Sequence, residues 1–207
     1  NKINAIADKF NVIMKYVNAG LAPIPLWPDK RKNPKIKSYS QYTERQPTFE
    51  EWERWLYNWP DCNAGLITGY WRNMVALDFD DMETFDIWLA EQPTEMHETW
   101  MVKTGRGMHV WYEMTDDPGK SRIFIFADGH EVLLRAKGGY VIVPPSIHHS
   151  GTPYSTEVKL SPLKISSLPL DAGWKEKVLA KRKSATPIIS IPHSDIRIED
   201  LLSLIHI

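Results

Sequence analysis

The sequence predicts an α+β fold, in which a few helices pack on a mostly antiparallel sheet. Two patterns carry this prediction. Apolar residues recur at helical spacing in residues 4–20 and 48–58, whereas short apolar runs of strand length follow one another from residue 64 onward, separated by turn residues. One further helical segment, METFDIWLAEQ, interrupts the strands.

Apolar spacing and turn residues define the first elements. The segment NAIADKFNVIMKYVNAG ends at Gly20, a common helix stop, and predicts an amphipathic helix. LAPIPLW predicts a short strand, and PDKRKNPKIKSYSQYT predicts a basic loop because prolines interrupt it. Thr48 and Glu51 have the spacing of a capping box, so TFEEWERWLYNWP predicts a second helix.

The rest of the chain is predicted to form mainly strands. These are AGLITG, MVALDFD, TWMVKTG, MHVWYEM, RIFIFA, HEVLLRA and YVIVPP. Beyond residue 160 the pattern weakens: GWKEKVLAKRKSA predicts a helix, and a linker with prolines follows it. We interpret the basic triplet at 181–183 as a helix face or part of this linker.

Composition narrows the class of protein. The 207 residues are 43% apolar with nine tryptophans, enough to fill a sizeable core, and the net charge of -1 means that any polyanion must bind at a local basic patch. The single cysteine, Cys62, excludes an internal disulfide, and we expect it to pack in the core. Without a membrane-length apolar run or a signal peptide, we expect a soluble cytoplasmic protein. A start without Met and an end inside LLSLIHI suggest a piece of a longer chain.

Two aspartates end the predicted strand VALDFD. Asp78 and Asp80 share one face because side chains two residues apart in a strand point to the same side, about 6 to 7 Å apart. Two close carboxylates repel each other unless a cation lies between them, and oxygen ligands suit magnesium or manganese. The alternative is that Asp80 and Asp81 begin a turn that caps the next helix, with Asp78 merely at a strand end.

Two later stretches contain residues suited to binding phosphate. In KTGRGMHVWYEM a glycine turn exposes backbone amides, and His109 can donate to a phosphate oxygen. In HEVLLRAKGGYVIVPPSIHHSGTPY, Glu131 offers a third carboxylate, while Ser146 and His148 follow in a loop that could hold a triphosphate. The alternative for both stretches is a plain hairpin with incidental polar residues.

In this order, these stretches resemble the bifunctional DNA primase/polymerase (prim-pol) domain of the archaeo-eukaryotic primase superfamily, over residues 10–155. VALDFD resembles its acidic motif, KTGRGMHVWY its glycine-turn and histidine motif, and GGYVIVPPSIHHSGTPY its last hairpin. The family places its third acid seven residues before the tyrosine of GGY, where this chain has Leu133. Glu131, two residues earlier on the same strand face, is the expected substitute.

The resemblance implies an RRM-like, mostly antiparallel sheet that carries the acids, packed beside a smaller α/β lobe. We expect residues 1–165 to form this prim-pol domain, two lobes around one active-site cleft, and residues 166–207 to form a C-terminal helix and linker that lead to a further region. The implied activity is template-directed addition of nucleotides from dNTP or NTP in the replication of a phage, plasmid or similar element. The expected partners are single-stranded DNA template, primer, and a helicase or other domain in the full-length chain.

The implied site uses a two-metal mechanism with Mg²⁺ or Mn²⁺ held by Asp78, Asp80 and Glu131. The triphosphate would be held by His109 together with Thr104, Arg106, Lys137, Ser146 and His148. Template or nucleotide phosphates would meet the basic loop residues Lys30, Arg31, Lys32, Lys35 and Lys37. For that loop the alternative is a solvated, mobile segment.

Three other functions compete with this assignment. LDFDDMET also resembles the Asp-x-Asp-x-Thr motif of haloacid-dehalogenase phosphatases, but Met82 stands at the threonine position. A rolling-circle endonuclease needs paired metal-binding histidines, and the adjacent His148 and His149 point apart on an extended chain. A catalytically silent nucleic-acid-binding module on the same fold is the remaining alternative.

Overall fold

The computed structural model of the protein describes residues 2–126, 129–158, 161–170 and 173–177. Within them it confirms the α+β fold and every helix and strand predicted before residue 150. The helices are α1 (Lys2–Asn18), α2 (Phe49–Asn58) and α3 (Met82–Glu91). The strands are β1 (Pro23–Leu26), β2 (Asn63–Ile67), β3 (Met74–Phe79), β4 (Met101–Lys103), β5 (Met108–Met114), β6 (Arg122–Ile125), β7 (Glu131–Arg135), β8 (Tyr140–Val143), β9 (Ser155–Val158), β10 (Leu163–Ile165) and β11 (Lys175–Lys177).

The strands form two sheets. The small sheet has the order β1-β2-β8, and the large sheet has the order β11-β6-β7-β3-β5-β4-β9, with β10 paired to β5. Every pairing is antiparallel except that of β10 with β5, so the prediction of a mostly antiparallel fold is confirmed for the described residues.

The predicted C-terminal helix is wrong where the structure describes it. Residues 175–177 form β11 and pair with β6, because the buried ring of Trp174 packs 4.6 Å from Phe126 and anchors the segment at the sheet edge. Strand β11 thus belongs to the large sheet, and Leu168 and Leu170 pack against the core beneath it. The rest of the predicted helix, the basic triplet and the linker lie outside the described residues.

The small lobe consists of α1 and α2 packed on the small sheet. Thr48 caps α2 in the predicted capping box: its side chain accepts from the Glu51 amide, and the Glu51 carboxylate accepts from the Thr48 amide at 2.8 Å. Helix α2 buries Trp52 and Trp55 in the core of this lobe. Cys62 is buried in the same core, as expected, and burial raises the pKa of its thiol to about 11. In the described part of the chain, no helix combines the length and apolarity needed to cross a bilayer.

The two faces of the large sheet have different partners. Val75, Leu77 and Phe79 of β3 point to one face and pack in a core that includes residues of α3. Ala76 of β3, on the opposite face, joins the core shared with the small lobe. Asp78 alternates with Leu77 and Phe79, so strand geometry places its carboxylate on the face turned toward the small lobe.

Two crossings of the chain between the sheets are bonded to each other. One runs from β2 to β3 and the other from β7 to β8. Thr68 in the first crossing donates its hydroxyl to the Ala136 carbonyl at 2.7 Å, and its amide donates to the Gly139 carbonyl at 3.2 Å in the second. Gly69 has a φ of +80°, and a Cβ there would lie 2.3 Å from the Lys137 amide nitrogen. This close contact fixes how the two lobes meet.

Candidate active site

Three charged or polar side chains meet on the face of the large sheet. Asp78 lies opposite His109 on β5 and opposite Leu133 on β7, so the strand register brings the acidic and histidine motifs side by side. His109 Nε2 lies 3.3 Å from Asp78 Oδ1. Arg135, two residues beyond Leu133 on β7, donates from Nε to Asp78 Oδ2 at 3.0 Å, and its Nη2 lies 3.0 Å from the same oxygen.

This cluster makes the Asp78 carboxylate an anion held by cations. Burial alone would raise the pKa of Asp78, but the charges and hydrogen bonds of His109 and Arg135 outweigh burial and hold the pKa well below its ordinary value. His109 is itself buried, and its Nδ1 has no partner among the described residues. The ring of Tyr154 stacks on that of His109 with centroids 6.0 Å apart. Burial, and then the Asp78 charge, raise the pKa of Tyr154 to about 12.

The two aspartates that follow Asp78, namely Asp80 and Asp81, have different contacts. Asp81 is the N-cap of α3 and accepts hydrogen bonds from the Thr84 amide at 2.8 Å and the Thr84 hydroxyl at 3.1 Å. Asp80 is exposed and has no hydrogen bond or ion pair within the described residues. The capping function therefore needs only Asp81, and the Asp80 carboxylate is available to the solvent beside Asp78.

The turn between β4 and β5 packs against the end of β3. Thr104 Oγ1 accepts from the amides of Arg106 and Gly107 at 3.3 and 2.9 Å, so these amides are not offered to an anion. A Cβ at Gly107 would lie 2.0 Å from the Phe79 carbonyl oxygen, and one at Gly105 would lie 2.4 Å from His148 Nδ1. The turn thus needs glycine for close approach, and Arg106 is left exposed at its tip.

The loop after β8 contributes one predicted residue to the site and uses another for packing. His148 Nδ1 lies 2.8 Å from Ser150 Oγ, and the His148 and His149 rings are 3.9 Å apart. Burial, followed by the positive charges of His149, Lys32 and Arg106, lowers the pKa of His148. Ser146, by contrast, is buried: its hydroxyl accepts from the Ala64 amide at 2.9 Å and donates to the Ala64 carbonyl at 3.2 Å.

The expected third acid does not join the two aspartates. Glu131 is exposed at the start of β7 and forms an ion pair with Lys177 Nζ at 2.8 Å. Leu133 takes the place opposite Asp78. In the described ranges, no three histidine, cysteine, aspartate or glutamate side chains are grouped closely enough to hold a metal ion.

The basic loop is anchored and divides into exposed and buried cations. Lys35 Nζ lies 4.2 Å from the centroid of the Trp27 ring and 5.5 Å from that of Trp59, and its side chain is 5% exposed. Lys35 is therefore shielded from any nucleic acid in this conformation. Lys30, Lys32 and Lys37 are exposed. Arg31 is exposed as well but pairs with Asp29 at 2.6 Å.

The lobes enclose a cleft of about 990 Å³ over this face of the sheet. The predicted site residues that line it are Lys30, Arg31, Lys32, Asp78, Asp80, Thr104, Arg106, His109, Glu131 and His148. Four predicted residues are not part of its lining, namely Lys35, Lys37, Lys137 and Ser146. Lys137 instead pairs with Asp117 at 2.5 Å.

Three residues that line the cleft were not predicted from the sequence, namely Arg135, His149 and Tyr154. For Arg135 a signal existed, because it stands two residues after Leu133 and must share its strand face. The sequence provides no reason to group His149 with His148, because the side chains of neighbouring residues in an extended chain point apart. The loop turns here instead, with the Gly151 amide donating to the His148 carbonyl at 2.8 Å.

The donor set fits one hard divalent cation better than two. Asp78 and Asp80 offer the carboxylate oxygens that Mg²⁺ or Mn²⁺ prefers. A second ion would need a further acid close by, and Leu133 and the ion-paired Glu131 do not offer one in this arrangement. The residues present therefore fit a single cation between Asp78 and Asp80.

The mixed α+β fold, with its large antiparallel sheet and a cleft against a smaller lobe, is consistent with the prim-pol fold. Residues 13–170 match the model of the family described as bifunctional DNA primase/polymerase, N-terminal. The chain belongs to this family. Among curated proteins, none matches the chain.

Proposed function

We propose that the cleft binds a nucleoside triphosphate and adds its nucleotide to the 3′-hydroxyl of a strand paired with a DNA template. Family membership supports a primase/polymerase type of nucleotidyltransferase. The observation that carries the proposal is the meeting of Asp78, Asp80 and His109 in one cleft with exposed cationic groups. Carboxylates beside cations suit a ligand that brings both a metal ion and phosphates.

The triphosphate would bind at the cationic end of the cleft. Burial, and then the positive charges of the nearby His149, Lys32 and Arg106, lower the pKa of His148. Such mutual repulsion is relieved when a polyanion binds among them. Lys and Arg near the outer phosphates would also neutralise the charge that develops as pyrophosphate leaves.

Asp78 and Asp80 would hold Mg²⁺ or Mn²⁺, which supplies charge neutralisation at the reacting phosphate when it is bound. Arg135 and His109 would act as positioning residues. They orient the Asp78 carboxylate through contacts of 3.0 and 3.3 Å and keep it ionised. The strand beneath is buried and paired on both sides, which gives the carboxylate a rigid support.

The test is incubation of the protein with a single-stranded template, labelled dNTP or NTP, and Mg²⁺ or Mn²⁺, with and without primer. The informative variant is Asp80→Asn, because Asp80 has no partner among the described residues and its loss should leave the fold intact. We expect incorporation by the natural protein and at least a hundredfold loss in the variant, in line with the about 10²-fold effects of single electrostatic groups. Equal incorporation by both would refute the assignment.

A second candidate is a catalytically silent module that binds nucleotides or nucleic acid on the same fold. The observation that favours it is Leu133 opposite Asp78, together with an Asp78 carboxylate already in contact with His109 and Arg135. This candidate predicts that a triphosphate raises the melting temperature although no product forms. The same incubation, read beside a thermal shift measurement, separates the two functions.

A further inference from the structure

Three tyrosines surround the turn that carries the chain from β7 to β8. Tyr140 follows the turn directly, and the Tyr39 ring meets it edge to face with centroids 5.5 Å apart. The Tyr39 hydroxyl donates to the Gly138 carbonyl at 3.4 Å. Lys137, directly before Gly138, has its Nζ 5.8 Å from the centroid of the Tyr70 ring, which places Tyr70 beside the same turn. We call Tyr39, Tyr70 and Tyr140 the tyrosine cluster.

The tyrosine cluster borders the cleft through Tyr140. Tyr140 and Gly138 both line the cleft, and the Tyr140 hydroxyl donates to the Lys32 carbonyl at 3.2 Å. Tyr70 lies in the other crossing between the sheets, where the two crossings are bonded through Thr68. A chain that enters the cleft past this turn would therefore cross the cluster.

Tyr70 is the exposed ring of the cluster, whereas Tyr39 and Tyr140 are half-buried. Tyr70 is 40% exposed, and among the described residues the only other exposed large apolar side chain is Ile147. Gly138 has a φ of +83° and nothing within 4 Å of the place where a Cβ would stand, so the space above the turn is free. A flat ring can reach the tyrosines there without a clash.

Cations flank this surface. Lys137 Nζ lies 5.8 Å from the centroid of the Tyr70 ring, within the range of a cation–π contact. Lys32 is exposed on the far side of Tyr140. Aromatic rings with cations spaced around them suit a ligand that alternates flat rings with phosphates, which is a single-stranded nucleic acid.

We propose that the tyrosine cluster is a stacking surface for the unpaired bases of a single-stranded nucleic acid beside the cleft, with Tyr70 as its most accessible ring. The surface deepens the proposed function, since it would guide the template to the site. The hydroxyls of Tyr39 and Tyr140 already donate to backbone carbonyls, so these two rings are held in place before the strand binds.

The experiment measures the affinity of the protein for a fluorescently labelled oligothymidine by anisotropy at fixed salt, without metal or triphosphate. We expect Tyr70→Ala to weaken binding about tenfold, the effect of losing one stacked base. Tyr70→Phe should retain the affinity because the ring remains, and Tyr70→Leu should lose it because only apolar area remains. Ile147→Ala is the control, since Ile147 is an exposed apolar side chain outside the tyrosine cluster.

Three results would overturn the stacking surface: unchanged affinity in Tyr70→Ala, equal affinity in the leucine and phenylalanine variants, or an equal loss for a blunt duplex that offers no unpaired base. Because the assay contains neither metal nor triphosphate, its result is separate from that of nucleotide incorporation. A natural protein that binds the strand without incorporating nucleotides would refute the proposed reaction and leave the surface standing.

Discussion

Arg135 and Asp78, on adjacent strands of the large sheet, form an ion pair in which two guanidinium nitrogens contact one carboxylate oxygen at 3.0 Å. The pair lies at the base of the cleft, where the Asp78 side chain is 15% exposed. The carboxylate therefore depends on its partners to remain ionised, which makes Arg135 as informative a position as the acid itself.

We expect Arg135→Ala to lower the free energy of unfolding at neutral pH by about 2 kcal/mol, less than the loss of a fully buried partner because Arg135 is 29% exposed. The folded-state pKa of Asp78 is lowered, so the stability from its ionisation is present above the unfolded pKa and is lost as pH falls toward the folded one. The difference between variant and natural protein should narrow below pH ~4.

Urea denaturation at a series of pH values measures this difference. Lys177→Ala, which breaks the exposed pair with Glu131, serves as the control and should change stability little. An Arg135→Ala effect that persists undiminished in acid would show that packing, not charge, is what Arg135 contributes.

Leu133→Asp places a carboxylate on β7 directly opposite Asp78. A further carboxylate near Asp78 and Asp80 should strengthen Mn²⁺ binding on the order of tenfold, because ligand charge governs the affinity of such sites. Isothermal titration with Mn²⁺ measures the change. Leu133→Asn is the matched control, of the same shape without the charge, and an equal gain in both variants would contradict the reasoning.

The affinity for a triphosphate should rise as pH falls from about 8 to 6, near the ordinary pKa of histidine. His148 has a lowered pKa in the free protein because of burial and of the facing His149, Lys32 and Arg106. Phosphate oxygens favour its charged form, so binding takes up a proton. Titration of the natural protein and of His148→Gln at several pH values measures this: the variant should show the shallower dependence, and parallel curves would exclude His148.

Without a ligand, the lowered pKa of His148 reduces the stability of the folded protein in acid. Because the unfolded chain binds a proton at His148 more readily than the folded protein does, stability falls as pH drops below about 6.5. His148→Gln should remove part of this loss.

Gly107→Ala should destabilise the protein by about 2 kcal/mol or more, and Gly105→Ala should cost less. At Gly107 the new methyl group would meet the Phe79 carbonyl oxygen at 2.0 Å, and a strand backbone moves little. At Gly105 it would meet the His148 ring, which can rotate away. Melting temperatures of both variants test this order, and the reverse order would mean that the turn is not held against β3.

Local patterns predicted the fold up to residue 150 because each element there has a strong one. The strand alternation in β3 and the capping box of α2 are visible in a few neighbouring residues. Strand β11 is different: Trp174 anchors it through a contact with Phe126, and nothing near it in sequence reveals that partner. The sequence of residues 175–177 therefore predicts a helix, although pairing with the edge of the sheet makes it a strand.

The site was predictable where strand geometry determines it and unpredictable where distant contacts do. Asp78 and His109 come together through the antiparallel register of adjacent strands. Ser146 and Lys35 have the residue types of ligand-binding positions, but the Ala64 backbone and the Trp27 ring engage them. Such engagement depends on residues far apart in sequence and cannot be deduced from a motif.

The anchoring of the basic loop affects how a ligand would bind. The Trp27 amide donates to the Asn33 carbonyl at 2.8 Å, Lys35 lies between two indole rings, and Tyr140 holds the Lys32 carbonyl. The exposed cations Lys30 and Lys32 thus belong to a loop whose conformation is preorganised. Binding of a polyanion therefore requires little ordering of the protein, although the polyanion loses conformational freedom of its own. We expect its association rate to depend on the salt concentration more than on a rearrangement of the loop.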